Sequence, residues 1–548
     1  MRAVRKRKLN ITALLLLLLL FALQAEAAQK RIFILSVNDP HSNILAMREA
    51  PAAGLGPEAP IIRSGGLEYA LSLIDLEGKK LAAEGKAPVF LLEGGDMMLG
   101  RKGSLQNGRA EYGALALSGF DAGVLGNHDF DGGLSVLRAL GPKLSLPVLA
   151  SNIKFNDPKL EAFYPKTKII EKNGVRLGLF GLITPDLKSL ISEPSGFEVE
   201  TELNKTAAEC VAALRAQKVD LIVAINHIGL ERDKKLAASV SGIAAIVGGH
   251  SHDAVADKLL VTAPDGSSVL IGQAGLDGRF IGRYELVTDE GQLVPEQSHW
   301  QLLAVTEKTP PQPAIAALGS ALRKQTSEKL ELADPVAFLP ESVDGTKNAV
   351  RQKEAVLGDM TADAMKAALG TQTAVVNGGS LRIGKIVPAG LFTSLDLLDL
   401  LPFSDRLMKV YLTGAELRRQ LELSASSLPS RKGGGKGLYN GEFLQVAGLA
   451  FDIDLNEKPA EAKGRLMTAP GSRVKRLRIE GKAGLEPLLD DRIYSVAAVE
   501  YTVRYWNTVL SQQTEVSQLS ALNDWFGSFP GRRPVLPRLE RINIIPEK

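Results

Sequence analysis

Cysteine is almost absent from this sequence of 548 residues, in which Cys210 is the only one. A single cysteine cannot form an intrachain disulfide, and it cannot build a structural metal site from thiolates. Cys210 lies in the helical pattern Thr206-Ala-Ala-Glu-Cys-Val-Ala-Ala-Leu, where a small apolar side chain packs well. The fold must therefore depend on apolar cores and not on cross-links.

Long apolar runs are also scarce, because only the stretch from Ile11 to about Leu23 approaches membrane length. Five basic residues precede it and the small-residue sequence Ala25-Glu-Ala27 follows it, a combination typical of a cleaved secretory signal at residues 1–27. No later stretch of about 18 apolar residues occurs, and no cysteine follows the signal that could carry a lipid. We expect an exported chain, periplasmic or extracellular, without a membrane anchor.

Neither sign of charge is in excess once the signal is removed. Residues 28–548 carry 60 lysines and arginines against 61 aspartates and glutamates, a net charge near −1. This balance argues against a nucleic-acid polymer as the partner.

The remaining chain of roughly 520 residues is too long for a single core and predicts two large domains. The proline-rich break TPPQP at residues 309–313 marks a boundary, and a helical stretch from Ala314 to about Leu332 follows it. We predict a first domain at residues 29–308, a linker helix at 309–334 and a second domain at 335–548. Strands alternate with helices at 66–84 and 205–217 before the break, whereas helices at 353–369 and 413–424 mix with short strands after it.

Only six histidines occur, and five of them follow the ends of short apolar runs. The runs are Arg31–Val37, Val89–Leu92, Gly123–Leu125, Leu221–Ile225 and Ile243–Val247. Such runs are typical of strands buried on both faces, and ligand sites of α/β sheets lie just outside the carboxyl ends of strands. We therefore expect the polar side chains after these runs to converge on one site. His299 has no such neighbours and is expected at the surface.

The donor types after these runs indicate a metal site of imidazoles, carboxylates and an amide, which suits Zn, Mn or Fe(II). The candidate ligands are Asp39, His41, Asp96, Asn127, His227, His250 and His252. Seven ligands exceed the needs of one tetrahedral ion, so we expect two divalent ions roughly 3.5 to 4 Å apart that share one carboxylate. Asp96, on a double-glycine turn, is the candidate for the shared ligand. Each short motif also occurs in ordinary turns, but the complete set in this order favours a metal site.

The order Asn-Asp-x-His, Gly-Gly-Asp, Gly-Asn-His-Asp, Asn-His and Gly-His-Ser-His resembles the calcineurin-like metallophosphoesterases. Asn377-Gly-Gly-Ser-Leu-Arg382, Leu401-Pro-Phe403 and Leu412-Thr-Gly414 resemble the second domain of secreted 5′-nucleotidases and UDP-sugar hydrolases. The resemblance covers nearly all of the chain after the signal. It implies an α/β fold in which a four-layer α/β/β/α catalytic domain is joined by a helix to an α+β substrate-binding domain that can rotate on it.

The resemblance also implies roles for individual residues. It implies one metal ion at Asp39, His41, Asp96 and His252, and a second at Asp96, Asn127, His227 and His250. Attack on phosphorus by a metal-bound hydroxide is the implied chemistry, and His128 paired with Asp129 resembles the catalytic dyad of the family. The implied substrate contacts in the second domain are Arg351, Asn377, Arg382, Phe443, Tyr501 and Asn507.

The nucleobase clamp is the part of the resemblance that this sequence matches least. Phe443 matches one aromatic wall, and Tyr501 stands where the family has Phe in Phe-x-x-x-Gly-Gly-Asp-Gly. The segment here is Tyr501-Thr-Val-Arg-Tyr-Trp-Asn507, so the double glycine is missing. The expected function is that of a secreted 5′-nucleotidase, or of a UDP-sugar or cyclic-nucleotide hydrolase. A thiosulfohydrolase of sulfur oxidation and a non-catalytic ligand-binding protein are the alternatives.

Overall fold

A computed structural model describes residues 29–85, 87–100, 107–329, 335–403, 405–430, 440–463, 465–481 and 483–547. The predicted signal at residues 1–27 lies outside the described residues. In the part that is described, no helix is long and apolar enough to cross a membrane.

The chain divides into two compact units, each with its own cores. Unit 1 comprises Met1–Ile44, Gly65–Met98 and Gln106–Ile315, and unit 2 comprises Leu45–Ser64, Leu99–Leu105 and Ala316–Lys548. Two short segments of the N-terminal half are thus part of unit 2. The domain boundaries at residues 308 and 335 stay a prediction.

The strands of the described residues are, in chain order, β1 (Lys30–Val37), β2 (Met47–Glu49), β3 (Ile62–Ser64), β4 (Val89–Glu93), β5 (Ala122–Val124), β6 (Val148–Leu149), β7 (Ile153–Phe155), β8 (Thr167–Lys172), β9 (Val175–Ile183), β10 (Phe197–Val199), β11 (Leu221–His227), β12 (Ala245–Gly248), β13 (Leu259–Thr262), β14 (Ser268–Gly272), β15 (Phe280–Asp289), β16 (Gln292–Leu293), β17 (His299–Ala304), β18 (Ala337–Leu339), β19 (Val343–Asp344), β20 (Thr373–Asn377), β21 (Ile386–Val387), β22 (Gly390–Phe392), β23 (Arg406–Thr413), β24 (Leu444–Ala447), β25 (Leu449–Asp454), β26 (Glu461–Lys463), β27 (Leu466–Ala469), β28 (Val474–Gly481), β29 (Gly484–Pro487), β30 (Ile493–Val499), β31 (Leu510–Ser517) and β32 (Ile542–Ile545). The α-helices are α1 (Leu67–Glu84), α2 (Arg109–Leu117), α3 (Gly133–Leu140), α4 (Pro158–Phe163), α5 (Leu187–Leu190), α6 (Leu203–Ala216), α7 (Leu230–Ala237), α8 (Pro313–Lys329), α9 (Lys347–Gln352), α10 (Val356–Leu369), α11 (Ser394–Leu400), α12 (Gly414–Ala425), α13 (Glu500–Val503) and α14 (Gln518–Gly527).

Two mixed sheets form the centre of unit 1. The first has the order β16-β15-β1-β4-β5-β6 with β17 on β15, and the second has the order β13-β14-β12-β11-β9-β8. Apolar side chains of both sheets, such as Ile34, Leu92 and Val223, share one core. Helix α1 packs on the first sheet, while α6 and α7 cover the second through residues such as Leu214 and Leu236. These layers form the expected α/β/β/α sandwich.

The strands that carry the candidate ligands are the parallel ones. In the first sheet β1, β4 and β5 run parallel, and in the second sheet β11 and β12 do. Parallel neighbours end at the same edge of a sheet, so the loops that follow them lie side by side. All five apolar runs are strands in the structure, and the helices expected at 66–84 and 205–217 are α1 and α6.

Unit 2 mixes helices with two antiparallel-rich sheets, as an α+β fold does. The five-stranded sheet has the order β24-β20-β30-β23-β31, and the four-stranded sheet has the order β29-β28-β25-β32. One core includes Met360 of α10 and Leu522 of α14, and the other includes Leu417 and Leu421 of α12. The helix expected at 353–369 starts only at Val356, after the separate short helix α9. Helix α8 lies within the predicted linker at 309–334, of which residues 330–334 lie outside the described part, and its role as a linker stays a prediction.

Candidate metal centre

Five strand ends of unit 1 bring the candidate ligands together. Asp39 and His41 follow β1, Asp96 follows β4, Asn127 follows β5, His227 ends β11, and His250 and His252 follow β12. Five of the seven candidate ligands are buried, from 0% exposed at Asp39 to 6% at Asn127, and His250 and His252 are half-buried. Ionisable groups of this kind are seldom buried unless they pair with each other or bind a metal.

Asp39, His41, Asp96 and His252 form a group that could hold a metal ion, because one donor atom from each lies within 4.8 Å of the others. Asp39 Oδ1 lies 3.3 Å from His252 Nε2 and 3.8 Å from His41 Nε2. The second oxygen, Asp39 Oδ2, accepts a hydrogen bond of 2.7 Å from Asn38 Nδ2. One carboxylate oxygen is thus held by an amide while the other faces the imidazoles.

Asp96 lies between the two halves of the ligand set. Its Oδ2 is 3.5 Å from His41 Nε2 and 3.1 Å from His227 Nε2. Its Oδ1 accepts a 2.8 Å hydrogen bond from the backbone N–H of His128, which fixes the rotation of the carboxylate. A carboxylate that faces one imidazole of each half is arranged as a shared ligand requires.

Asn127, His227 and His250 make up the other half. Asn127 Oδ1 and His250 Nδ1 lie 2.8 Å apart, which is close to the roughly 3 Å that separates neighbouring donors on an ion bound at about 2.0–2.1 Å. His227 Nδ1 is 2.8 Å from Gly94 O, so Nδ1–H donates to that carbonyl and Nε2 is the atom left to bind a metal. Burial and the charge of His227 lower the pKa of His250 to about 3, so this ring is neutral.

Among the described residues, two buried imidazole nitrogens of the centre lack a hydrogen-bond partner, and a bound cation could take its place. Nε2 of His41 and Nε2 of His227 make no hydrogen bond within the described part of the chain. Once these nitrogens are deprotonated, a divalent cation bound beside the carboxylates can accept their lone pairs. The residues present therefore fit a metal.

The pKa values of His41 and His227 are raised by the same carboxylates. Burial lowers the pKa of His41, but its contacts with Asp277 and Asp96 outweigh burial and raise the pKa to about 9. Burial also lowers the pKa of His227, but the charges of Asp96 and Asp39 raise it to about 10. Without a bound cation both imidazoles are doubly protonated at neutral pH. A metal must therefore displace one proton from each ring.

Several ligands occupy backbone conformations that side chains rarely adopt. The residues with positive φ include Asp39 (50°), His41 (51°), Asp96 (58°), His250 (80°) and His252 (64°). Such conformations persist only where the surrounding structure enforces them, and they concentrate at functional sites. Glycine is required nearby, because a Cβ on Gly126 would lie 2.1 Å from Asp96 Oδ1.

His128 lies beside the centre, but its partner is not the predicted one. The ring centroids of His128 and His41 are 5.7 Å apart, and His128 Nδ1 is 2.9 Å from Asp131 Oδ2. Asp129 instead accepts from the backbone N–H groups of Gly126 at 2.7 Å and Met98 at 3.1 Å. The predicted pairing of His128 with Asp129 is therefore corrected to His128 with Asp131. The spacing i to i+3 in the 3₁₀ helix Asn127–Phe130 and its C-cap was the sequence signal that could have found it.

In unit 2 the structure brings the two predicted arginines together. Burial and the charge of Arg382 lower the pKa of Arg351 to about 9, and Arg351 Nε has no hydrogen-bond partner among the described residues. Arg382 Nε donates to Gly379 O at 2.7 Å. Two guanidinium groups whose charges act on each other favour an anion.

The two predicted asparagines are placed differently. Asn377 is buried, and its Oδ1 accepts from Ser380 Oγ at 2.7 Å and from Thr502 Oγ1 at 3.0 Å. The hydrogen bond from Thr502 connects Asn377 to the segment that contains Tyr501. Asn507 is exposed, and its backbone N–H donates to Glu416 Oε1 at 3.2 Å.

The aromatic residues of unit 2 require a second correction. Phe443 is 0% exposed and packs in the core with Leu421 and Val446, so its ring has no free face for a nucleobase. Phe403 is half-buried instead, with the guanidinium carbon of Arg382 5.5 Å from its ring centroid. Tyr501 is half-buried, and the guanidinium carbon of Arg465 lies 4.2 Å from its ring centroid. Unlike Phe443, Phe403 and Tyr501 are therefore partly exposed, each beside an arginine.

Comparison with known families matches both halves of the chain. The calcineurin-like phosphoesterase model matches residues 34–254, and the model of the 5′-nucleotidase C-terminal domain matches residues 335–507.

Individual relatives agree with these matches. The trifunctional nucleotide phosphoesterase protein YfkN of Bacillus subtilis is 31% identical over 74% of this chain, which spans only 29% of that protein. The 5′-nucleotidase of Bos taurus is 27% identical over 76% of this chain and 74% of its own length. The crystal structure of a 5′-nucleotidase precursor from Thermus thermophilus superposes with a TM-score of 0.80 at 24% identity, covering 94% of this chain and 100% of that one, and so agrees in fold.

Replacement of Asp96 by Ala is expected to release metal from both halves of the centre, because the shared carboxylate offsets the repulsion between two cations. Elemental analysis of the purified variant measures this, with Asp257→Ala, an exposed carboxylate of unit 1, as the control. Two tightly held metals in the Asp96→Ala protein would contradict the assignment.

Metal affinity is expected to rise with pH. His41 and His227, with pKa values of about 9 and 10, are protonated at pH 7, so binding releases up to two protons there and progressively fewer above pH 9. Calorimetric titration of the metal-stripped protein in buffers of different ionisation enthalpy counts the released protons. A binding enthalpy that is independent of the buffer at pH 7 would argue against this electrostatic description.

Proposed function

The chain belongs to the family in which a calcineurin-like phosphoesterase domain precedes a 5′-nucleotidase C-terminal domain, and on this premise we propose that it is an exported dimetal 5′-nucleotidase. The observation that carries the proposal is the position of Asp96, whose Oδ2 faces His41 Nε2 and His227 Nε2 at 3.5 and 3.1 Å. We further propose residues 29–308 as the catalytic domain and residues 335–548 as the substrate-binding domain, with the helix between them as linker.

A divalent cation bound by these residues would lower the pKa of coordinated water and neutralise charge on the phosphoryl oxygens. The proposed ligands are Asp39, His41, Asp96 and His252 for one ion and Asp96, Asn127, His227 and His250 for the other. Zn, Mn and Fe(II) all suit this donor set.

His128 is the proposed general acid. Its Nδ1 is held 2.9 Å from Asp131 Oδ2, so Nε2 is the atom that can carry a proton to the leaving oxygen. Asp131 fixes the orientation of the ring. Asp129, turned to two backbone N–H groups, instead holds the loop that carries the dyad.

We propose that unit 2 supplies recognition of the nucleotide. Arg351 and Arg382 are proposed to contribute guanidinium groups for a phosphate, which such groups can contact in bidentate fashion. Phe403 takes the place that Phe443 was expected to fill, and Tyr501 is the proposed second aromatic wall. Asn377 positions the Tyr501 segment through Thr502, and the exposed Asn507 is proposed to contact the substrate directly.

The proposal is tested by phosphate release from AMP, with purified protein and added Mn²⁺ or Zn²⁺. A panel of UDP-glucose, a cyclic nucleotide and p-nitrophenyl phosphate ranks the other phosphoesters. Sulfate release from an S-sulfonated cysteine peptide tests the thiosulfohydrolase alternative in the same assay. Turnover of the peptide without turnover of any phosphoester would overturn the proposal, and no turnover at all would favour a binding protein.

The dyad predicts that His128→Ala keeps its metals while kcat falls by roughly 10² to 10⁴, the range for loss of one acid–base group. Asp131→Asn is expected to lower kcat less, because the amide oxygen can still accept from Nδ1–H. Steady-state kinetics with metal analysis of the same samples measure both effects. Metal loss in His128→Ala would make His128 a ligand, and full activity of Asp131→Asn would remove Asp131 from the dyad.

The revised clamp predicts that Phe403→Ala raises KM for AMP by roughly 5- to 150-fold, since stacking on one aromatic face contributes about 1 to 3 kcal/mol. KM for p-nitrophenyl phosphate is expected to change much less. Phe443→Ala is the matched comparison: it should lower the stability of the fold by about 3 to 5 kcal/mol and leave KM of the folded fraction unaltered. The opposite pattern between the two variants would restore Phe443 as the wall.

A further inference from the structure

The connection between β14 and β15 is bonded to the loop that follows β1. Ala274 N–H donates to Asn38 Oδ1 at 2.7 Å, and Asn38 Nδ2 donates to Gly275 O at 2.7 Å. Asp277 N–H donates to Asp39 O at 2.8 Å. The connection holds none of the proposed metal ligands, yet its backbone is fixed to the segment that carries two of them.

The side chain of Asp277 extends this contact to a candidate ligand. Asp277 is 5% exposed, and its Oδ1 lies 3.5 Å from His41 Nδ1. The same oxygen accepts a 2.8 Å hydrogen bond from Asn43 Nδ2. The carboxylate thus contacts both His41 and a residue two positions further along the same loop.

This loop needs such support because of its backbone. Asp39 and His41 have φ values of 50° and 51°, and Asp277 itself has a φ of 56°. A left-handed conformation is unfavourable for residues with a Cβ and persists where neighbouring contacts over-determine it. The hydrogen bonds from Asp277 and to its carboxylate are contacts of this kind.

We propose that Asp277 is a positioning residue that orients the imidazole of His41 toward the metal. A carboxylate at Nδ1 selects the tautomer with a proton on Nδ1 and leaves the lone pair on Nε2. Nε2 is the atom that faces Asp96 Oδ2 at 3.5 Å and Asp39 Oδ1 at 3.8 Å. Asp277 therefore acts through His41 and touches neither metal nor substrate.

This inference rests on the proposed dimetal centre, and its test uses metal binding by the full chain without any substrate. The affinity for Mn²⁺ is measured by competition with a chelating fluorophore, and the absorption spectrum of the Co²⁺-loaded protein reports the coordination geometry. The variants are Asp277→Ala, which removes the acceptor, and Asp277→Asn, which keeps an acceptor oxygen without the charge. Asp289→Asn, at the exposed end of β15, is the matched control.

Asp277→Ala is expected to weaken Mn²⁺ binding by roughly 10- to 100-fold, the effect of losing an outer partner of a ligating histidine, and to alter the Co²⁺ spectrum. Asp277→Asn is expected to lose less than the alanine variant, and Asp289→Asn to match the wild type. Thermal unfolding of the metal-stripped proteins identifies a variant that fails to fold. If Asp277→Ala does not fold, a weakened Asp277→Asn supports the proposal, and an unchanged one overturns it.

The outcomes separate this inference from the proposed function. A wild-type chain that binds no metal would contradict the dimetal centre itself and the role of Asp277 with it. A wild-type chain that binds metal, together with a folded Asp277→Ala chain of equal affinity and identical Co²⁺ spectrum, would overturn the role of Asp277 alone.

Discussion

The repulsion between carboxylates buried beside one another is the constraint on which the rest of unit 1 depends. Two unit charges 4 Å apart interact by about 4 kcal/mol at an effective dielectric constant of 20, so an uncompensated cluster would oppose folding. Burial alone would raise the pKa of Asp96. The charge of His227 outweighs this effect and holds the pKa of Asp96 well below its usual range. For Glu93, burial and the charge of Asp129 raise the pKa well above the usual range, which favours its neutral form. The centre thus balances its charges with protons until metal cations replace them.

The two-sheet sandwich holds this arrangement at fixed separations. Because β1 and β4 are parallel neighbours, the loops after them also pair: Asp39 N–H donates to Gly95 O at 3.0 Å and His41 N–H to Asp96 O at 3.1 Å. Ligands on such loops stay where the strands place them, which matters because an error of about 1 Å is costly in a site for chemistry. Several candidate ligands have positive φ values, and this unfavourable backbone conformation accompanies the convergence of their loops on one site.

The sequence could not predict which aromatic rings of unit 2 are buried and which are partly exposed. Phe443 and Phe403 both lie in segments that resemble the family, and nothing in the local pattern distinguishes an aromatic ring in a core from one at a binding surface. The distinction comes from packing, since Phe443 is enclosed by the core around α12 whereas Phe403 lies beside Arg382. Asp277 is similar, because no motif surrounds it and only the β14–β15 connection brings it to His41.

The sequence by itself predicted the candidate ligands and their place at strand ends, because hydrophobic runs specify buried parallel strands and polar residues after them lie at one edge of a sheet. Local periodicity also predicted the α/β alternation of unit 1 and most helix positions, whereas the four-layer sandwich was implied by the resemblance to a family. Tertiary structure alone decided which carboxylate partners His128, which aromatic rings stay accessible and which residues support the ligands from behind. Those choices depend on distances between segments far apart in the chain, and side-chain direction at such contacts is set by packing and charge balance that no local pattern encodes.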